Sequence, residues 1–457
     1  MDGGNHVTDK ADNLQSLAEA LVSAARRAGA DQADALAMRG HSVSIDVRAG
    51  GLEQADSAEG IEIGLRVLIG GRQACVSASD HSIRTIGEMA ARAVAMAREA
   101  PVDDALGLAE PDQLGPLRDA AGLDIADDLP DPAPAALQDL ALRAEAAALS
   151  RPGISQVEAA NAAFSRRHLW LAASNGFSGG YGRTTHVISA VAITGEGLGM
   201  ERDYAAEARV WAEDLPYPEE IGLLAADRTL ARAGSRKPPT GAFPILFDRR
   251  VSASLIGHLL GAVNGAAVAR GASWLRKALG EPVLPAGMDL IEDPLKPRYP
   301  SSRPFDAEGL QTRRRAIVKD GVLQGWTLDL ATGRKLGMDS TASAARGLAS
   351  APSPTTSNVV LTPGAQSRDQ IIADMGRGLV VTSMLGASIN DTTGDYSRGA
   401  AGFWVENGQI AYPVNECTIA GNLRDMLMTL RAADDALPWR AAEVPSLLVE
   451  GMTVAGA

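Results

Sequence analysis

The chain has 457 residues, 46% hydrophobic but only 4% aromatic, with a formal net charge of -13. That acidic balance and the absence of a basic stripe exclude an ordinary nucleic-acid surface. Two cysteines, Cys75 and Cys417, exclude a disulfide framework and a cysteine-rich metal cluster. The length exceeds what one typical core organises, so two domains are expected, with cores built mainly from Leu, Ile, Val and Ala. No uncharged apolar run reaches about 18 residues, and polar Met1 to Ala20 carries no apolar leader. The expected compartment is the cytoplasm, with no membrane contact and no direct nucleic-acid contact.

Residues 13–28 read as a helix, because Leu14, Leu17, Leu21 and Ala24/Ala25 recur at helical spacing. Alternating segments follow at Ser42 to Val47 and Gly60 to Ile69, and Gly70-Gly71 predicts a hairpin into Gln73 to Ser77. Ile83, Ile86, Ala90, Ala93 and Ala97 predict a second helix. Between Pro101 and Pro134 the chain turns rich in Asp, Pro and Gly, which predicts a long surface connection. A helix is expected at Ala135 to Leu149. Strands are expected around Ile154 to Ala163, Leu169 to Ala173 and Thr184 to Thr194, with an Asn175-Gly176 hairpin. The N-terminal domain is therefore α+β with an antiparallel sheet, over residues 1–237.

Pro238-Pro239 marks the expected boundary, and residues 238–457 read as a β-rich C-terminal domain. It opens with a strand at Pro244 to Phe247 and a helix over 250–270. Strand-like segments follow at Met288 to Ile291, Arg315 to Val318, Leu323 to Leu328, Asn358 to Leu361 and Leu379 to Thr382. Gly402 to Glu406 and Gln409 to Tyr412 come last, joined by Asn407-Gly408 as a hairpin signal. Arg313-Arg314-Arg315 is too short a basic run to signal more than an exposed strand or turn. Ser340 to Asn358, rich in Ser, Thr and Pro without periodicity, reads as a mobile loop.

The expected 250–270 helix has a pattern of its own. Small residues Ala253, Gly257, Gly261, Gly265 and Ala269 recur at every fourth position, beside an apolar face of Leu255, Leu259 and Val263. Each glycine inside a helix costs roughly 0.8–1 kcal/mol relative to Ala, so a compensating close approach is expected. Helix-on-sheet packing and a surface for a partner or a peptide both satisfy that expectation.

From Leu255 onward the wording becomes specific. Leu255-Ile256-Gly257-His258-Leu259-Leu260-Gly261 leads into Arg270-Gly271-Ala272-Ser273-Trp274-Leu275, followed by Ser302-Arg303-Pro304-Phe305-Asp306-Ala307-Glu308-Gly309. Then come Arg334-Lys335-Leu336-Gly337, Gly394-Asp395-Tyr396-Ser397-Arg398-Gly399 and Ile419-Ala420-Gly421-Asn422-Leu423. In this order and spacing they resemble the PmbA/TldE-type branch of the TldD/PmbA metallopeptidase family. The resemblance implies a cytoplasmic pair. A TldD-type chain, with a His-Glu-x-x-x-His segment and a distant Cys, holds zinc, and a PmbA/TldE-type chain accompanies it on unfolded peptides. It also implies that the family's link to DNA gyrase is indirect.

Anchored on Arg270-Gly271-Ala272-Ser273, the TldD-type ligand and base positions fall on Ile256, Gly257 and Gly261. None offers a ligating side chain, whereas hydrolytic zinc needs three protein ligands and an open position. His258 stands alone, and His6, His41, His81, His168 and His186 are scattered. Neither a catalytic residue nor a metal ligand is therefore expected on this chain; zinc is expected on the TldD-type partner. Candidates for an interface or for peptide binding are Gly257, His258, Gly261, Gly265, Arg303, Asp306, Asp395, Tyr396 and Arg398. Cys417 lacks a visible base in the sequence. The alternatives are a self-sufficient peptidase using an unrecognised site and a chaperone-like peptide-binding module. Stoichiometry, including pairing of the chain with itself, is left open by the sequence.

Overall fold

The computed structural model describes residues 6–456, with the side chains of residues 6–12, 198 and 387 excepted. The leader expectation thus rests partly on residues 1–5, outside the described residues. No described helix is long and apolar enough to cross a membrane.

The first half is built on one antiparallel sheet. Helix α1 (His6–Arg27) precedes strands β1 (Gln32–Arg48), β2 (Gly51–Ile69) and β3 (Arg72–Ala78), and α2 (Ile83–Glu99) follows. After a long connection come α3 (Pro134–Leu149), β4 (Ile154–Ala173), β5 (Ser178–Thr194), β6 (Glu201–Arg209) and α4 (Pro218–Ala231). The sheet order is β3-β2-β1-β4-β5-β6, antiparallel throughout. The Gly70-Gly71 and Asn175-Gly176 hairpins stand where the dipeptides place them, with positive φ at all three glycines. The strands run further than alternation predicts. Residues 51–60 of β2 are exposed throughout and are held as strand by pairing with β1 alone.

Side-chain parity sorts the two faces of this sheet. Ala33, Ala35, Ala37, Ile63, Leu65 and Val67 pack under α1 and α2 with Leu14, Leu21, Met89 and Val94. Val43, Ile45 and Val47, of the same parity in β1, pack with α3 and α4 through Leu137, Ala141, Ile221 and Ala225. Each buried Leu or Ile in these cores contributes about 1.5–3 kcal/mol of transfer free energy. The intervening residues of β1 and β2, Asp34, Leu36 and Arg66, face the second half of the chain and are buried there.

The connection at residues 101–134 is not simply a surface lobe. Ala105, Leu108, Ala109, Leu123 and Ile125 are buried, and Arg334 donates to the carbonyls of Ala105, Gly107 and Leu108. Its acidic and Pro-rich composition hides a strap laid along the junction of the two halves, tied by backbone carbonyls that the sequence pattern cannot display.

The second half is β-rich, as expected. It begins with β7 (Gly241–Phe247), α5 (Ala253–Ala262), α6 (Gly265–Ala269), β8 (Leu290–Glu292), β9 (Arg315–Lys319) and β10 (Val322–Leu323). Next are α7 (Leu330–Leu336), β11 (Ala344–Ala345), β12 (Ser353–Pro354), β13 (Val359–Leu361), α8 (Arg368–Met375) and β14 (Gly378–Ile389). It closes with β15 (Asp395–Glu406), β16 (Gln409–Asn422), α9 (Leu423–Met428), β17 (Arg431–Ala432), β18 (Ala442–Glu443) and β19 (Leu447–Ala455). A small sheet runs β10-β9-β8-β13-β18. The larger one runs β16-β15-β14-β7-β19-β17, and β16 also pairs with β19. Pairing therefore closes into a ring through β7, β14, β15, β16 and β19, which removes the free edges those strands would otherwise show. Ile245 and Phe247 turn toward α5 and the main core, while Leu246 turns toward α8.

Two expectations are corrected here. The 250–270 helix is two helices, α5 and α6, because the Asn264 side chain accepts from the Ala266 N–H at 3.0 Å and starts a new helix. The expected mobile loop 340–358 is fixed. Ser343 and Ala344 are buried, β11 pairs with β12, and the Arg346 side chain reaches Asp34 in β1.

Candidate functional site

Helix α5 buries Leu255, Ile256 and Leu259 and turns Gly257 and Gly261 outward to solvent. A Cβ built on Gly257 or Gly261 meets nothing within 4 Å. Their missing side chains therefore do not serve packing within this chain. Gly265, at the start of α6, behaves oppositely: a Cβ there would stand 2.5 Å from Leu328 Cδ2 and 2.9 Å from the Thr327 carbonyl oxygen. One row of small residues thus splits, with Gly265 packed inside and Gly257 and Gly261 open. Gly257→Ala is expected to raise the unfolding free energy of the isolated chain by about 0.8–1 kcal/mol, read from chemical denaturation.

His258 borders the open face. Its ring lies edge-on to Tyr396, with centroids 5.8 Å apart. Burial, and then the Arg398 charge, push its imidazole below the ordinary histidine range, so it is neutral at pH 7. Its Nε2 is buried without a hydrogen-bond partner among the described residues. Burial pushes the Tyr396 phenol up to about 12, so it stays protonated, with its hydroxyl 3.4 Å from Met384 Sδ. Arg398 donates from Nε to the Gly386 carbonyl at 2.7 Å. His258, Tyr396 and Arg398 therefore lie together beside the helix that carries Gly257 and Gly261, whereas Asp395 serves its own turn, bonded to Thr393 Oγ1 and Asn422 Nδ2.

Arg303 and Asp306 lie elsewhere, lining a cavity of about 140 Å³ between the sheet of the first half and the 344–346 segment. Arg303 donates to the carbonyls of Ala344 and Thr355. Asp306 accepts from the N–H groups of Glu308, Leu310 and Ala344. These bonds make both residues holders of loops.

A charge cluster that the sequence reading did not single out sits beside them. Arg66 in β2 donates from Nε to Asp34 in β1 at 2.8 Å, and Arg346 donates to the other carboxylate oxygen of Asp34. All three side chains are at most 3% exposed. Burial alone would raise the Asp34 carboxyl, but Arg346 and Arg66 outweigh it and hold it low. Burial, then the neighbouring Asp306, push Glu308 up to about 8. Two guanidiniums thus face three carboxyls, and one retained proton on the Asp306–Glu308 pair brings the group to neutrality. The signal was present: Arg66 stands between Leu65 and Val67, and Asp34 between two alanines, charges inside apolar strands.

Neither thiol is an activated nucleophile. Cys417 is buried, donates to the Ala400 carbonyl at 3.2 Å, and is pushed by burial up to about 11. Burial also raises Cys75. Among the described residues no three His, Cys, Asp or Glu side chains are grouped as a metal would require. His186 pairs with Asp127 at 3.1 Å and His41 with Asp131 at 2.7 Å, at separate points of the sheet.

The helix-covered antiparallel sheet and the strand ring that follows it are both matched by metallopeptidase domain families. Profiles of the PmbA/TldA metallopeptidase match as domain 1 over residues 33–97, as the central domain over 127–233 and as the C-terminal domain over 240–456. The chain belongs to the TldD/PmbA metallopeptidase family, in its PmbA/TldE-type branch. It is 36% identical to the metalloprotease PmbA of Escherichia coli over 447 residues, 96% of either chain. A Bacteroides thetaiotaomicron protein proposed to modulate DNA gyrase superposes with a TM-score of 0.89 at 26% identity, covering 98% of this chain and 99% of that one. TldE from Thermococcus kodakarensis shares the fold, with a TM-score of 0.81 at 19% identity, over 96% of this chain and 99% of that one.

Proposed function

We propose that this chain is the non-metallated subunit of a heteromeric cytoplasmic zinc peptidase, working with a TldD-type chain that supplies zinc and cleaves unfolded peptides. The observation that carries this reading is the α5 face. Where the TldD-type wording places ligands and base, Ile256 is buried in the core and Gly257 and Gly261 offer no side chain. That open strip, with His258, Tyr396 and Arg398 beside it, suits a partner's backbone or an extended peptide. The proposed division of the chain falls at Pro238-Pro239.

An added peptide strand needs a free sheet edge. Ring closure removes the long edges of the second half, and residues 51–62 of β2 lie beyond the reach of β3. Co-expression with a TldD-type chain, followed by metal analysis and a peptidase assay, tests the proposal. Zinc and activity are expected only in the co-purified pair. Stoichiometric zinc with proteolysis from the lone chain overturns it. Gly257→Trp is expected to break the pair while leaving the isolated fold intact; an unaffected pair removes α5 from the contact.

A further inference from the structure

A cavity of about 360 Å³ opens where α4 and β6 of the first half meet the 249–253 turn and the 437–444 segment of the second. Four arginines line it, Arg228, Arg249, Arg250 and Arg440, against one carboxylate, Glu207. Glu207 is already engaged, since it accepts from Arg440 and from Arg209. Arg250 is paired with Asp203 through both terminal nitrogens. Arg228 and Arg249 are different. Arg228 donates to the Tyr204 carbonyl at 2.9 Å and Arg249 to the Asp435 carbonyl at 3.3 Å. Among the described residues neither forms an ion pair, although each guanidinium carries five donors.

On a chain of net charge -13, two unneutralised guanidiniums converging on one cavity stand out. Burial, then the like charge of Arg250, lower Arg228 from the ordinary arginine range, and Asp203 and Asp248 offset this only in part. The adjoining lobe carries acids, but two are already paired: buried Asp248 with Arg368 and exposed Asp227 with Arg151. Asp435 is held by the Ser446 N–H and hydroxyl. Asp434 stands exposed on that side, as does Asp369 beside Arg368, so acids outnumber the free cations there and an anion is drawn toward the arginine lobe. Tyr204 and Leu224, 52% and 40% exposed, give the same lobe an apolar wall.

We propose that this cavity is an oxyanion site, in which Arg228 and Arg249 grip the carboxylate or phosphate head of a small ligand whose apolar part lies on Tyr204 and Leu224. Planar guanidiniums suit either head because both present oxygens at matching spacing. The site is distinct from the α5 face and does not depend on the subunit reading.

Calorimetric titration of the full chain tests it with two probes, inorganic phosphate and the dipeptide Leu-Leu, the latter also as its C-terminal amide. Binding is expected to weaken roughly tenfold or more in Arg228→Gln and in Arg249→Gln, and to be unchanged in Arg92→Gln, at an exposed position of α2. Phosphate binding alone assigns a phosphate ligand, whereas Leu-Leu binding that is lost in the amide assigns a carboxylate. Arg249 is exposed, so its variant folds even where Arg228→Gln does not. No binding of either probe at millimolar concentration overturns the proposal, as does binding that both substitutions leave intact.

Discussion

Asp34→Ala is expected to lower the unfolding free energy by about 3–5 kcal/mol, because it leaves two buried guanidiniums without their anion. Arg66 and Arg346 both depend on that one carboxylate, and Nε and Nη2 of Arg346 already lack partners among the described residues. Asp306 and Glu308, the other carboxyls of the group, hydrogen-bond neither guanidinium among the described residues, so charge there neutralises them only at a distance. The contact also joins the halves of the molecule, since Asp34 and Arg66 lie in the first sheet and Arg346 in the 340–358 segment. Beside it, a Cβ on Gly64 would stand 2.3 Å from the Leu348 carbonyl oxygen, so the segment lies directly on β2. Denaturant titration of Asp34→Ala gives the size of the effect. The companion triple variant Asp34→Leu, Arg66→Met, Arg346→Met should recover most of the loss, because apolar groups of similar volume can replace a buried ion group at little cost. Equal losses in both variants would show that packing, and not an orphaned charge, sets the effect.

How much of this was legible in the sequence depended on the range of the interaction. Helical spacing of Leu14, Leu17 and Leu21, or of Ile86, Ala90 and Ala93, reports a face buried within one element. Gly70-Gly71 and Asn407-Gly408 report turns that their own φ values demand. By contrast, residues 51–60 have no alternating pattern, since both of their faces meet solvent; only pairing to β1 makes them strand. Closure of the ring needs Thr418 to find Ala455, a pairing that no local pattern encodes. Asn264 was a readable stop, a good cap inside an otherwise unbroken helical pattern.

The candidate site was legible by halves. The row Gly257, Gly261, Gly265 marked a surface without side chains, but sequence could not tell open space from close packing. The structure gives one answer for the first two and the other for the third. Arg303 and Asp306 looked equivalent to Tyr396 and Arg398, as turn-formers with charges between strands. They differ because Asp306 spends its oxygens on three backbone N–H groups of its own surroundings.

Glu308→Gln is expected to flatten the pH dependence of stability across the neutral range. An ordinary unfolded carboxyl titrates near 4.5, whereas burial and Asp306 push folded Glu308 up to about 8. Between those values the folded chain keeps a proton that the unfolded chain has released. Unfolding free energy therefore falls as pH rises through this window, at up to about 1.4 kcal/mol per pH unit for a single fully differential group. Below the window both states are protonated and the contribution is fully present; above it both are ionised and the loss is complete. Glutamine remains neutral throughout and can still accept from the Leu330 N–H, as Glu308 Oε2 does at 2.8 Å. The variant should match the parent near pH 4.5 and exceed it progressively toward pH 8. Denaturation midpoints at pH 5, 7 and 9 read the difference directly, and parallel curves for parent and variant would place the shared proton elsewhere. Because Glu308 belongs to the cluster that fastens the 340–358 segment to β1 and β2, hydrogen exchange in that segment of the parent should quicken over the same interval, beyond the intrinsic rise with pH. The proton on the Asp306–Glu308 pair then acts on the joint between the two halves, and not merely on a single side chain.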